Sequence, residues 1–107
     1  MDKKRQKIRK VVSHYKRMLE ELGIHVEQTI LFGSYAKKRE SKESDIDLII
    51  ISEDFAKMNL RKRLEMLGIA AARIMKPIEA KGYTLKEVKQ ASKSSLLKEI
   101  IQEGIYL

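Results

Sequence analysis

The stretch Gly33–Ile50, GSYAKKRESKESDIDLII, decides how this chain is read. It opens on a small-residue turn, passes through a charged run, and sets Asp45 and Asp47 at the mouth of the apolar run Leu48, Ile49, Ile50, Ile51. Strand alternation places Asp45 and Asp47 on one face with Ile49 and Ile51, while Ile46 and Leu48 point into the other layer. A strand apolar on both faces is a central strand covered on both sides. Two carboxylates at the edge of such a core repel each other and resist desolvation; a bound divalent cation, or one raised pKa, relieves them. Gly33-Ser34, between a strand and a helical turn, lets a ligand approach the backbone. The N–H groups that follow and the Ser34 hydroxyl can cradle phosphate oxygens, or the turn is a plain one with Ser34 as N-cap.

Working outward, Ile8, Val11, Val12, Tyr15, Met18, Leu19 and Leu22 recur at helical spacing from Asp2 to Leu22, and Gly23 stands where a left-handed cap belongs. Ile24 to Phe32 reads as the first strand, Ser34 to Lys38 as a short helical turn, and Asp45 to Ile51 as the second strand. After a loop at Ser52-Glu53-Asp54, Leu60, Leu64, Leu67, Ala71 and Ile74 define a long helix from Phe55 to Met75, stopped by the sole proline, Pro77. Ile78 to Tyr83 is a third strand, Thr84-Leu85-Lys86-Glu87 a capping box, and Ser94 to Glu103 a final helix ending at Gly104. The link between the first two strands is too short for a parallel crossover. The expected fold is therefore α/β, α+β-like, with a small mixed sheet flanked by helices in one domain over 1–107.

The 107 residues suffice for one modest core, so a substrate must be brought to the chain. No cysteine is present, which excludes disulfides and thiolate-held zinc or iron–sulfur sites and leaves oxygen-ligated hard cations as the metals to expect. No run approaches membrane-spanning length and the charged start MDKKRQKIRK leads into no signal segment, so a cytoplasmic protein with no membrane partner is expected. A net charge of +8 favours a polyanionic partner such as nucleic acid or nucleotide phosphate.

Gly33, Ser34 and Ala36, then a gap, then Ser44, Asp45, Ile46, Asp47 and Leu48 resemble the signature of the DNA polymerase β-like nucleotidyltransferases. Length and the helix before the motif are most similar to the minimal nucleotidyltransferase (MNT) proteins of the MntA-like antitoxin type. The resemblance implies the nucleotidyltransferase fold, with two magnesium ions held by Asp45, Asp47 and a third carboxylate on a neighbouring strand, for which Glu79 matches by position. It implies a nucleoside triphosphate, ATP, bound at Gly33, Ser34, Lys37 and Ser44, and transfer of AMP to a hydroxyl on a HEPN-domain partner protein in a toxin–antitoxin pair. This sequence departs from the family pattern in Lys37-Lys38, where Arg-Gly is usual, and in Glu79, where aspartate is commoner. A lysine offers a point charge in place of a fork, and Lys38 lacks glycine's access to positive φ.

Two other readings stand beside this one: an antitoxin that neutralises by contact without turnover, and a small nucleic-acid-binding protein working through Lys3, Lys4, Arg5, Lys7, Arg9 and Lys10 of the first helix. That basic face equally reads as a solvated one, and 6% aromatic content argues against single-strand recognition. His14 and His25 lack a histidine at ligand spacing and read as structural or surface residues. Met66 and Met75 read as packing residues. Ile100, Ile101, Ile105 and Leu107 form an apolar tail suited to the core, a partner or a second copy in a homo-oligomer.

Overall fold

The computed structural model describes residues 3–36 and 45–107. Helix α1 (Lys3–Glu21) buries Ile8, Val12, Tyr15 and Leu19, one stripe at three- and four-residue steps, and leaves the lysines and most arginines of its other face to solvent. Gly23 at φ +92° closes it: the Gly23 N–H donates to the Glu20 carbonyl and the Ile24 N–H to Leu19, at 3.0 and 2.9 Å, the paired bonds of a Schellman cap. The buried Tyr15 hydroxyl donates to the Leu67 carbonyl at 2.8 Å, tying α1 to the later long helix, and burial pushes its pKa up.

Strand β1 (Gln28–Phe32) is shorter than the alternation from Ile24 predicts. The Ile24 N–H is taken by the helix cap and the His25 N–H donates to Asp54 Oδ2 at 2.7 Å, so neither is free to ladder. After α2 (Gly33–Ala36) comes β2 (Ile46–Ile51), antiparallel to β1 with Phe32 opposite Asp47 and Gln28 opposite Ile51. Strand β3 (Ile78–Tyr83) runs parallel to β2, pairing Ile46 with Ile78 and Asp47 with Glu79. The expected three strands become four: Ile105–Tyr106 forms β4, antiparallel to β1, and the Leu107 N–H donates to the Thr29 carbonyl at 2.9 Å. In the order β3-β2-β1-β4 the sheet is mixed, as the short link requires.

The long helix expected over Phe55–Met75 is two pieces. Ser52 caps a 3-10 turn, Glu53–Lys57, by accepting from the Asp54 N–H; Met58 is extended; and Asn59 accepts from the Lys62 N–H at 2.8 Å to start α3 (Leu60–Ile74). Phe55 fills the core, α3 buries Arg63, Leu67, Ala70, Ala71 and Ile74, and Leu60 and Leu64 are 69% and 48% exposed. Met75 is no packing residue: it is the left-handed C-cap at φ +55° and is 87% exposed. Helices α4 (Leu85–Gln90) and α5 (Leu96–Glu103) follow, the latter capped by Ser95 and two residues later than its expected start at Ser94.

The two sheet faces carry unequal cores. Leu31, Ile46, Leu48, Ile50 and Ala80 pack with the stripes of α1 and α3, while Ile30, Ile49 and Ile51 pack with Val88 of α4 and Ile100 of α5 in a smaller cluster. Asp47 shares this second face, one step along β2 before the Ile49 and Ile51 of that cluster. Among the described residues no helix is long and apolar enough to cross a membrane.

Candidate active site

Three elements converge at one end of the second face. Asp47, second residue of β2, is half-buried, with the exposed Asp45 just before the strand on the same face. Parallel pairing sets Glu79 of β3 directly beside Asp47, also exposed, and antiparallel pairing sets Phe32 on the other flank. Chain order brings α2 in straight after Phe32, and Gly33, at φ +71°, makes the turn. A Cβ at residue 33 would run into the Asp47 carboxylate, with its Cγ at 3.0 Å and its Cβ at 3.3 Å. Glycine is therefore required here twice, by backbone angle and by the closeness of the acid.

The electrostatics follow from that crowding. Partial burial raises the Asp47 pKa above the usual carboxylate value, the negative charges of Glu79 and Asp45 raise it further, and Lys81 pulls it back. Lys81 lies two residues beyond Glu79 on the same strand face, a neighbour that alternation along Ile78–Tyr83 makes legible and that the sequence reading passed over. Among the described residues no three carboxylate or imidazole side chains close into a ready-made cation cage. The donors are nevertheless hard oxygens whose mutual repulsion a divalent cation relieves, so the set fits such an ion in chemistry.

Of the sequence-predicted residues, the fold brings Asp45, Asp47, Glu79 and Gly33 together, with Ser34 next in α2 and half-buried. Lys37 and Ser44 lie outside the described residues. His25 precedes β1 instead of opening it, and His14 is exposed on α1, apart from this edge. The sequence reading placed the final helix but not its approach to this edge: Glu99 and Glu103 of α5 share a cavity with Phe32, Gly33 and Ala36, and nothing in the chain short of the β1–β4 pairing signals that approach.

Comparison with solved structures supports the fold. One crystal structure, of a toxin–antitoxin with AMP-PNP, superposes with a TM-score of 0.59 at 20% identity, over 84% of this chain and 66% of that one, so the present chain spans just under two-thirds of that neighbour. Another, of a protein described as a nucleotidyltransferase from Sulfolobus solfataricus, gives 0.56 at 19% identity over 92% of this chain and 83% of that one. No curated protein matches by sequence. The profile of the family Polymerase beta, Nucleotidyltransferase matches residues 6–107, spanning the glycine turn, the paired aspartates and all four strands, and by that match the chain belongs to this family.

Proposed function

We propose that the chain transfers a nucleoside monophosphate, AMP from ATP, to a hydroxyl on a partner protein, as the antitoxin of a HEPN/MNT-type pair. The observation that carries the transferase reading is the close approach of the Gly33 backbone to the Asp47 carboxylate, with Asp45 and Glu79 adding to its negative field. A phosphate cradle and a cation-seeking acid cluster thereby share one wall. The toxin–antitoxin neighbour solved with AMP-PNP supports the adenine nucleotide and the protein partner; the MNT resemblance supports the HEPN identity.

On this reading Asp45, Asp47 and Glu79 would hold magnesium, two ions as the family resemblance implies, which when bound would supply neutralising charge for the α-phosphate and the pyrophosphate. Ser34, with Lys37 and Ser44 outside the described residues, steadies the triphosphate. The acceptor hydroxyl oxygen forms a bond to the α-phosphorus as the bond from that phosphorus to the α–β bridging oxygen breaks. Pyrophosphate leaves with the electron pair and the hydroxyl proton passes to Glu79. The protein's contribution is mainly alignment and charge placement.

Calorimetric titration of magnesium-ATP into the parent and into the Asp45→Asn, Asp47→Asn double variant tests the reading. Binding by the parent only with magnesium, lost in the variant, is the expected result; absence of binding in the parent sinks it. The lack of a closed cage among the described residues favours one second reading, neutralisation by contact alone. Neutralisation of the partner that survives the double substitution would establish it.

A further inference from the structure

A cavity of about 310 Å³ lies between the start of α2 and α5. Its volume is at the lower end of the range that holds small organic molecules, roughly 300–1,000 Å³. Phe32, Ala36, Leu96 and Ile100 give it apolar walls, and Gly33 belongs both to this cavity and to the contact with Asp47. A molecule whose phosphates lie on the Gly33-Ser34 turn therefore has its other end within reach of the cavity. The remaining lining is acidic: Glu99 and Glu103 stand one turn apart on α5, on the same stripe as Leu96, and neither forms a salt bridge among the described residues. Carboxylates so placed repel phosphate and accept from N–H donors. The cavity is thus suited to a flat, uncharged, largely apolar body with amino groups on its edge.

We propose that this cavity seats the base of the nucleotide and that Glu99 and Glu103 accept hydrogen bonds from an exocyclic amine on it, so that the chain selects amino-bearing bases. This rests on the nucleotide-transfer reading and assigns its specificity to α5. Glu99 and Glu103 are exposed at the rim of the cavity, so a base without the amine leaves them to water while an amine gains a charge-assisted bond, a difference of about tenfold in affinity.

The test is calorimetric titration, in magnesium, of two nucleotide pairs that differ only in the amine: ATP against purine riboside triphosphate, and GTP against ITP. Inorganic tripolyphosphate serves as the phosphate-only probe. The parent is expected to lose about tenfold in affinity on deletion of the amine in at least one pair, and the Glu99→Gln, Glu103→Gln variant to bring that ratio close to unity. Leu96→Trp, which fills the cavity from an exposed position, is expected to weaken ATP at least tenfold while leaving tripolyphosphate unchanged. Circular dichroism checks that both variants fold. Equal binding within each pair by the parent, or unchanged ATP binding by Leu96→Trp, overturns the assignment while tripolyphosphate binding keeps the nucleotide–metal site standing. Failure of both ATP and tripolyphosphate to bind the parent overturns the two together.

Discussion

A methyl group at residue 33 has nowhere to go. Its position would overlap the Asp47 carboxylate, and φ +71° is strained for any residue with a Cβ, by about 1–2 kcal/mol. Gly33→Ala is therefore expected to lower stability by about that amount in urea unfolding and, by displacing the acid, to cut magnesium-ATP affinity at least tenfold. Asp47 makes the opposite trade. Its carboxyl is raised by burial and by Glu79 and Asp45, so its folded-state pKa exceeds its unfolded value of 3.8. The stability it contributes is fully present below pH 3.8 and is lost as pH rises through the folded-state value. At neutral pH the charged form is the strained one. Asp47→Asn is thus expected to raise Tm at pH 7, by a margin that solvent screening of this half-buried group keeps small, with the advantage vanishing below pH 4 in a calorimetric pH series. The aspartate pair and the glycine were legible from spacing and alternation alone. The position of α5 was not, because it depends on a two-residue strand that no local pattern announces.

Among the elements, α3 shows most plainly where periodicity misleads. Leu60 and Leu64 fit a helical apolar stripe with Leu67, Ala71 and Ile74, yet only the last three are buried: in the first turns of α3 the buried place belongs to Arg63, and the helix itself is shorter than the pattern because Ser52 and Asn59 cap two separate helical pieces with the extended Met58 between them. Both caps are visible in the sequence; what hides them is the apolar run that continues across the break. Arg63 then acts as a clasp. It donates to both Glu87 carboxylate oxygens at 2.7 and 2.9 Å, to the Gly82 carbonyl at 3.2 Å and to Met58 at 3.1 Å, and lies 5.7 Å from the Phe55 ring centre. Glu87 in turn completes the capping box with Thr84, as the spacing predicted, so one guanidinium ties the 3-10 turn, β3 and α4 together. Its hydrogen bonds hold the Glu87 carboxyl below the usual range. Arg63→Met is expected to cost about 2 kcal/mol in urea unfolding, since buried acceptors are left without a donor. The Glu87 share of that cost disappears as pH falls through its lowered pKa, the direction that applies to a carboxylate stabilised when charged.

For the molecule as a whole, the unequal cores set the order of opening. The face packed by α1 and α3 holds the larger buried cluster; the face packed by α4 and α5 holds a few residues around Ile49, Ile51 and Ile100. Amide hydrogen exchange is expected to be faster in α5 and β4 than in α1, α3 and β2, and magnesium-ATP to slow α5 selectively if the base lies against it. Uniform exchange rates across the chain would contradict this division. The mixed sheet was legible because the charged stretch between β1 and β2 is too short for a crossover, whereas the sizes of the two cores depend on the helix phase and the final strand. The parallel pairing of Asp47 with Glu79 also bears on synthesis. The aspartates are local neighbours, but the glutamate reaches them only after the intervening turn and helix have closed a loop of more than thirty residues, a slow, non-local event. A chain still emerging from the ribosome, or one trapped halfway, thus has two acids without the third, and whatever chemistry the trio supports begins only when folding is complete.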